Sequence, residues 1–450
     1  MLIAALAIRV GYIQSTPFHP VNDASIYNIL GSGIARTGDY DTGSGPRTGA
    51  GGSRGPTAYF PPGFPYFLAA ADILDGHQAG GKAAIRGDRI AQAIAGTVAV
   101  GLVGLVALEA FGAAVALASM VLAAVYPVFV VLSGTLVAEN LLIVFELAAV
   151  WTALRARRAR RPYAWIAATG VLTGLATLTH ENAILLVIPL AFAAFSAARP
   201  PPNRARPRVR ALAAPTTLLI ITLATIAPWT IRNAIELHHF VPVSDETGIT
   251  LVGTYNPASA ASRPLPYKWR FFWNIPQDAR LRATAGRYSE VELGDKLESQ
   301  ATRYIGAHPL SPLQVGYQNT LRLFELEGAY AWHASALAIG MPVSAAHTGV
   351  VAFWVLCLLA LAGLATAAGR GAPRWILAIP LLYALSIVFV NTETPRFREP
   401  IDPFLILLAG CAVASGLRRL GLRRAPVGRG RRPSRLTGDA KLIEMGERLP

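Results

Sequence analysis

Long apolar runs, separated by short polar or arginine-rich segments, recur along the whole chain. Several runs approach or exceed the roughly 20 residues that a helix needs to cross a bilayer. Alanine, leucine and valine fill them without the alternation of polar positions that marks a half-buried strand. The pattern predicts an all-α polytopic membrane protein with ten crossings, at about 1–13, 86–109, 112–132, 135–154, 163–179, 182–198, 211–229, 347–369, 375–391 and 402–418.

The composition also indicates that much of this chain is surrounded by lipid. Of the 450 residues, 53% are hydrophobic and only 15% are charged, and the mean hydropathy is +0.41. An ordinary water-soluble domain carries about 25% charged residues. The two cysteines, Cys357 and Cys411, both fall within apolar runs, so they are interpreted as packing residues and offer neither a disulfide framework nor a metal site.

The basic residues indicate how the chain is oriented in the membrane. The formal charge is +15, which by itself would also suit a nucleic-acid-binding protein. However, twenty of the 41 basic residues lie in four short segments between apolar runs. Such clustering is typical of cytoplasmic loops, so nucleic acid is not expected as a partner. The four segments are 155–161, 199–210, 370–374 and 418–435.

With these segments in the cytoplasm, both termini are cytoplasmic and two long segments, 14–85 and 230–346, face outward. The first is predicted to carry a short helix at 23–36, then a flexible Gly-rich stretch and a stiff aromatic segment rich in proline. The second is predicted to carry an amphipathic helix at about 295–307 that lies on the membrane surface.

Two boundaries complete this organisation. The run 1–13 is too short to span a bilayer and is interpreted as the outer part of a first helix, which leaves open whether the true N-terminus lies upstream of Met1. Residues 421–450 are rich in Arg, Pro and Gly and lack an apolar face, which predicts a basic, disordered cytoplasmic tail. Residues 1–420 then form one membrane domain.

Several acidic residues lie where the predicted crossings end at the outer face. Asp23 follows the first crossing, Glu139 lies at the outer end of the fourth, and His180 and Glu181 occupy the turn after the fifth. Asp23 has two interpretations, since Asn22 or Asp23 would also serve as an ordinary helix N-cap. Ionisable groups at membrane boundaries otherwise tend to mark functional sites. Glu146, two turns further along the fourth crossing, is expected to face other helices.

Three arginines lie at the outer helix ends, where the positive-inside rule disfavours them. Arg232 follows the seventh crossing, and Arg396 and Arg398 follow the ninth. A guanidinium group matches the geometry of phosphate oxygens, so these residues are candidates for binding an anionic group. The alternatives are lipid headgroup contacts and ion pairs with Glu393, Glu399 or Asp402.

Together these segments resemble the bacterial relatives of protein O-mannosyltransferases and lipid A aminoarabinose transferases, in the GT-C class of membrane glycosyltransferases (a family 39-like pattern). The likeness runs over about residues 1–418 and rests on seven short patterns in order. They are Asn22-Asp23-Ala-Ser-Ile-Tyr27, Gly38-Asp39-Tyr40, Pro61-Pro-Gly-Phe-Pro65, Ala138-Glu139-Asn140, Gly174-Leu-Ala-Thr-Leu-Thr179, Pro228-Trp-Thr-Ile-Arg-Asn233 and Pro395-Arg-Phe-Arg-Glu-Pro-Ile-Asp-Pro403.

The resemblance implies a GT-C type bundle of about ten transmembrane helices with two long extracytoplasmic loops. It also implies that Asp23 is the catalytic base. Two departures from the family pattern leave metal dependence and the sugar open: Ala24 replaces a second acid, and Tyr59-Phe60 replaces an acid and a lysine. The further candidate site residues are Tyr27, Asp39 and Asn233, which lie in these patterns, and Glu139, His180 and Glu181, which lie at the outer ends of the crossings.

The sequence therefore predicts a glycosyltransferase that moves a sugar from a polyprenyl-phosphate carrier to an acceptor hydroxyl of a protein, glycan or lipid. One-step displacement needs one base for the hydroxyl and positive charge for the departing phosphate, which assigns donor-phosphate binding to Arg232, Arg396 and Arg398. A lipid or solute transporter is the alternative, although transporters usually bind near the bilayer midplane. No cofactor is assigned, and a divalent metal remains open.

Overall fold

The computed structural model describes residues 1–41, 55–76, 82–198 and 209–421, and these form twenty α-helices and five short 3-10 turns without a regular strand. The first ten helices are α1 (Leu2–Ser15), α2 (Asp23–Thr37), α3 (Gly63–Asp75), α4 (Lys82–Phe111), α5 (Ala113–Val125), α6 (Pro127–Leu132), α7 (Glu139–Ala156), α8 (Pro162–Thr179), α9 (Val187–Ala198) and α10 (Val209–Leu237). The others are α11 (Thr247–Thr254), α12 (Pro257–Ala260), α13 (Ala279–Thr284), α14 (Glu290–Ala307), α15 (Ser311–Leu323), α16 (Ala329–Ala338), α17 (Val343–Leu364), α18 (Ala367–Arg370), α19 (Arg374–Val388) and α20 (Asp402–Arg419).

The all-α membrane fold predicted from the sequence is confirmed, and a helix occupies each predicted crossing. Within the described residues, four helical segments are long and apolar enough to cross a membrane: Lys82–Phe111, Glu181–Ala198, Leu212–Leu237 and Val343–Leu364. Helices α1, α5 and α19 are shorter apolar helices. The predicted tail, 421–450, lies outside the described residues apart from Gly421, as does most of the Gly-rich stretch.

Three of the differences from the sequence prediction involve proline. The crossing predicted at 112–132 is broken at Tyr126, because Pro127 has no N–H to continue the helical ladder and starts α6 instead. Helix α10 continues past residue 229 to Leu237 with Pro228 inside it. The stiff aromatic segment forms α3, since Pro61 and Pro62 precede the helix, where their missing N–H groups cost nothing.

The break at Tyr126 leaves carbonyl groups at the end of α5 without helical partners, and a buried arginine binds them. Arg9 of α1 donates to the carbonyl oxygens of Ala124 (3.4 Å) and Ala123 (3.5 Å) and to Oγ of Ser133 (3.2 Å). Its side chain is fully buried. The unsatisfied ends of one helix therefore fix the position of another.

The bundle has two ends of different character. At one end, Glu109 at the end of α4 pairs with Arg155 in the last turn of α7 (2.8 Å) and with Arg158 just after that helix (2.6 Å). At the other end, α2, α3 and the segment from α11 to α15 form a cap with its own apolar core, built from Tyr27, Phe64, Leu68, Leu293 and Leu297 among others. Trp229 of α10 joins this second core, so the cap is packed on the bundle.

Close packing of α8 on α10 depends on two glycines one turn apart. A Cβ atom on Gly170 would lie 2.9 Å from the carbonyl oxygen of Leu218, and one on Gly174 would lie 2.6 Å from the Cβ of Thr225. Thr222 also donates its hydroxyl to the carbonyl of Gly170 at 3.1 Å. Small residues spaced in this way let membrane helices approach closely, and the contact positions the ends of α8 and α10 beneath the cap.

We expect Gly174→Ala to lower the stability of the protein, because the added methyl group has no space against Thr225. Overpacking of this kind typically costs about 1–3 kcal/mol. Thermal unfolding of the purified protein in detergent measures it. Gly416→Ala is the matched control, since a Cβ there meets nothing within 4 Å; equal melting temperatures for the two variants would contradict the packing role.

Candidate active site

A buried guanidinium group links three distant parts of the chain. Arg396, in the 3-10 turn after α19, donates Nη1 to a carboxylate oxygen of Asp23, and donates Nε to Oε1 of Glu139 at 2.6 Å. Asp23 is the first residue of α2 and Glu139 the first of α7. Burial opposes the charge of Arg396, but the carboxylates of Glu139 and Asp23 together raise its pKa well above the usual value. The guanidinium therefore stays charged.

Local structure explains why these carboxylates meet at this point. Acidic side chains in the first turn of a helix are favoured by the helix dipole, and both acids occupy first turns. The side chain of Asn22 donates to the carbonyl of Ala338 (2.7 Å), which fixes the start of α2 against the end of α16. Asn22 is the N-cap residue of α2, and no side chain caps the helix. The interpretation of Asp23 as a simple cap is therefore wrong.

The Asp23–Arg396 pair lines a cavity of about 480 Å³ between the bundle and the cap. Tyr27, Tyr59 and Trp269 contribute aromatic surface, and the ends of α8 and α19 complete its walls. A volume of this size suits a small-molecule site. The ionisable residues that line it are Asp23, His180, Glu181, Glu246, Lys268, Glu393 and Arg396.

One wall of the cavity is acidic. Glu181 accepts a hydrogen bond from the hydroxyl of Ser244, and Glu246 precedes α11 on the same lining. Burial, together with the charges of Glu181 and Asp23, raises the pKa of Glu246 well above its usual value. Burial lowers the pKa of His180, so its imidazole is neutral near pH 7. The carboxyl group of Glu246 is therefore harder to ionise than that of an exposed glutamate.

A second ion pair lies on the cavity lining. Lys268 donates its Nζ to Glu393 at 2.7 Å, and both side chains are less than one-fifth exposed. Lys268 comes from the cap and Glu393 from the segment after α19. The pair thus joins cap and bundle at the lining of the cavity, and its lysine adds a second positive charge there.

The structure separates the arginines that the sequence grouped together. Arg232 is absent from the cavity wall and donates to the main-chain carbonyls of Thr57 (2.7 Å) and Tyr40 (2.8 Å). Its guanidinium carbon also lies 4.8 Å from the centroid of a Trp229 ring. These contacts brace the cap, and they give no support to the predicted phosphate-binding role.

Arg398 is also held away from the main cavity. Its side chain is 1% exposed, donates to Glu325 at 2.7 Å and pairs with Asp402 at 3.4 Å. The guanidinium carbon lies 3.6 Å from the centroid of the Phe353 ring. The pair with Asp402 is one of the ion pairs that the sequence offered as an alternative for these arginines.

The remaining candidates are divided between the cavity and its supports. Tyr27 lines the cavity and packs on Phe60, with ring centroids 4.4 Å apart. Asn233 is buried and donates to the carbonyl of Val241 (3.0 Å), so it supports the cap. Asp39 is exposed in the turn after α2 and is absent from the cavity lining.

Two cavity residues had no signal that pointed to them in the sequence. Glu246 lies in a polar stretch like many surface loops, and Lys268 belongs to an aromatic and basic cluster that predicted no particular chemistry. Their positions depend on how the cap folds onto the bundle. Among residues 1–41, 55–76, 82–198 and 209–421, no three His, Cys, Asp or Glu side chains are grouped closely enough to hold a metal ion.

Comparison with known structures identifies the fold. Oligosaccharyltransferase AglB from Archaeoglobus fulgidus superposes on 94% of the chain with a TM-score of 0.55 and 14% sequence identity in its apo form. The same enzyme in complex with an inhibitory peptide and a dolichol-phosphate gives 0.52, also at 14% identity. The present chain covers 50% of the archaeal enzyme and therefore spans about half of that protein's length.

Two further comparisons accompany this likeness. ArnT from Cupriavidus metallidurans, bound to undecaprenyl phosphate, gives a TM-score of 0.39 with 16% identity over 94% of this chain and 77% of its own. Residues 60–231 match the family model described as dolichyl-phosphate-mannose-protein mannosyltransferase. No curated protein sequence matches the chain.

The chain has the fold of the GT-C membrane glycosyltransferases. The resemblance predicted from the sequence is thereby confirmed at the level of this class. Residues 60–231 of the chain are similar to the mannosyltransferase family named above. This segment includes α3 to α9 and most of α10.

We expect Arg232→Ala to destabilise the protein, because it removes two charge-assisted bonds to main-chain carbonyls and the contact with Trp229. Hydrogen bonds to charged groups contribute about 1.5–3 kcal/mol each. Thermal unfolding in detergent tests the expectation. The control is Arg303→Ala, on the exposed face of α14, and an unchanged melting temperature for the Arg232 variant would refute the bracing role.

Proposed function

We propose that the protein transfers a sugar from a polyprenyl-phosphate donor to an acceptor hydroxyl at the extracytoplasmic face of the membrane, with inversion at the anomeric carbon. The observation that carries the proposal is the Asp23–Arg396 pair on the wall of a 480 Å³ cavity. A carboxylate that can accept a proton and a guanidinium that can hold a phosphate are the two groups that this reaction requires.

The sidedness follows from the distribution of arginines. The cavity lies at the end of the bundle where α7 begins and α8 ends, and the clustered arginines at 155–161 lie at the opposite end. Positive residues favour the cytoplasmic side, so the cavity faces outward. A polyprenyl-linked donor is available at that face without a nucleotide, and this favours it over a nucleotide sugar.

In the proposed reaction, the acceptor oxygen attacks the anomeric carbon while its proton passes to Asp23. The bond between the anomeric carbon and the phosphate oxygen breaks, and the electron pair leaves with the phosphate. Arg396 stabilises that developing charge, and Lys268 supplies a second cation on the cavity lining. Glu139 remains on Nε of Arg396, so it positions the guanidinium without touching substrate.

The similarities agree with this choice of donor. The family that matches residues 60–231 is described by a dolichyl-phosphate-linked mannose donor, and AglB has the same fold and was captured with a dolichol-phosphate. Both names contain an isoprenoid lipid phosphate. The identity of the sugar is left open. The acceptor hydroxyl is left open between protein, glycan and lipid.

The Asp23→Asn variant tests the base. Asn keeps the shape and can still accept a hydrogen bond from Arg396, but it cannot take a proton, so turnover of a polyprenyl-phosphate sugar should fall about a hundredfold or more. The measurement is sugar release from the lipid by purified protein, with donor binding measured in parallel. Near-normal turnover in the Asn variant would exclude Asp23 as the base.

The Arg396→Lys variant tests the phosphate contact. Lysine keeps one charge but loses the fork that reaches Asp23 and Glu139 together. The transition state should therefore lose about 1.5–3 kcal/mol of stabilisation, which lowers kcat/KM for the donor roughly ten- to 150-fold. Arg232→Lys is the matched control, since Arg232 contacts main chain outside the cavity. Equal losses in both variants would show that stability, and not phosphate binding, sets the effect.

A further inference from the structure

Two histidines face each other where α16 turns back into α17. Nε2 of His333, on α16, lies 2.9 Å from Nε2 of His347, in the second turn of α17. The ring centroids of the two histidines are 5.1 Å apart. The rings of Trp332 and His347 also pack edge to face, with their centroids 5.5 Å apart. His347 is exposed and His333 is half-buried, so solvent reaches the pair.

This arrangement resembles half of a metal coordination shell. Two neutral imidazole nitrogens bind one zinc ion at about 2.0–2.1 Å each, and a tetrahedral angle then places the nitrogens about 3.3 Å apart. The two Nε2 atoms lie a few tenths of an ångström closer together than this. Small side-chain rotations can remove the difference. Without a metal, only one of the two nitrogens can donate a proton to the other.

We infer that His333 and His347 form a binding site for a late first-row transition-metal dication such as Zn²⁺, with solvent completing its coordination. Imidazole suits zinc, copper and nickel, whereas Mg²⁺ and Ca²⁺ prefer oxygen ligands. The site lies outside the 480 Å³ cavity and stands independently of the proposed sugar transfer.

The position of the pair gives the site a structural consequence. The turn between α16 and α17 contacts the segment that leads into α2: Asn22 donates to Ala338 (2.7 Å), and a Cβ on Gly340 would meet Phe18 at 3.1 Å and the carbonyl of His19 at 3.3 Å. A metal that ties α16 to α17 would therefore stabilise the support on which Asp23 rests. Binding to the folded state also raises the melting temperature.

The test uses the full chain, purified without a histidine tag, stripped with chelator and titrated with Zn²⁺ by calorimetry. His333→Ala and His347→Gln should each weaken Zn²⁺ binding at least tenfold and abolish the rise in melting temperature that Zn²⁺ gives the wild type. Mg²⁺ should produce neither effect. Copper bound to the wild type should show two nitrogen ligands in its electron paramagnetic resonance spectrum.

His239→Ala is the matched control, because this exposed histidine lies in the linker after α10. It should bind Zn²⁺ like the wild type. Wild-type affinity in His333→Ala and His347→Gln would overturn the proposal, as would equal losses in all three variants. His347→Gln keeps the test decisive if His333→Ala fails to fold, since the exposed side chain of His347 contributes little to packing.

Discussion

The site depends on how one buried positive charge is paired. Arg396 is only 8% exposed, and a charge removed from water is very unfavourable unless opposite charges and hydrogen bonds compensate it. Glu139 and Asp23 do so from positions 257 and 373 residues earlier in the chain. Because the guanidinium has a fixed planar shape, satisfying it sets the relative positions of α2, α7 and the turn after α19.

The cavity lining has more acidic than basic side chains, and this affects how a phosphate can bind. Its lining carries the acids Asp23, Glu181, Glu246 and Glu393 but only two permanent cations, Lys268 and Arg396. Both cations already have carboxylate partners, so a phosphate that enters must compete with Asp23 and Glu393 for them. Under the proposed function this competition is useful, because a phosphate that draws Arg396 away leaves Asp23 freer to accept a proton. Donor binding and activation of the base would then be linked through one guanidinium.

Periodicity and composition predicted the elements well, because the signals are local. Apolar runs of helical length and clustered arginines need no knowledge of tertiary structure, and the helices occupy the predicted crossings. Boundaries were less predictable where proline was involved, as at Tyr126 and Pro228. Arg232, Arg396 and Arg398 gave the same sequence signal, an arginine at an outer helix end. Their different contacts arise from long-range packing, which no local pattern encodes, and Glu246 was missed for the same reason.

The location of the cavity follows from the two apolar cores. One core lies within the bundle and the other beneath the cap, and the cavity with its charged side chains lies where the bundle and the cap meet. Charged groups inside either core need partners from the protein, as Arg9 and Arg398 have, whereas full exposure would weaken their electrostatic effect in water. A ligand with a polar head and a long apolar tail has the same division along its length. The boundary between bundle and cap is therefore where such a ligand can place its head among the charged residues while its tail remains in lipid.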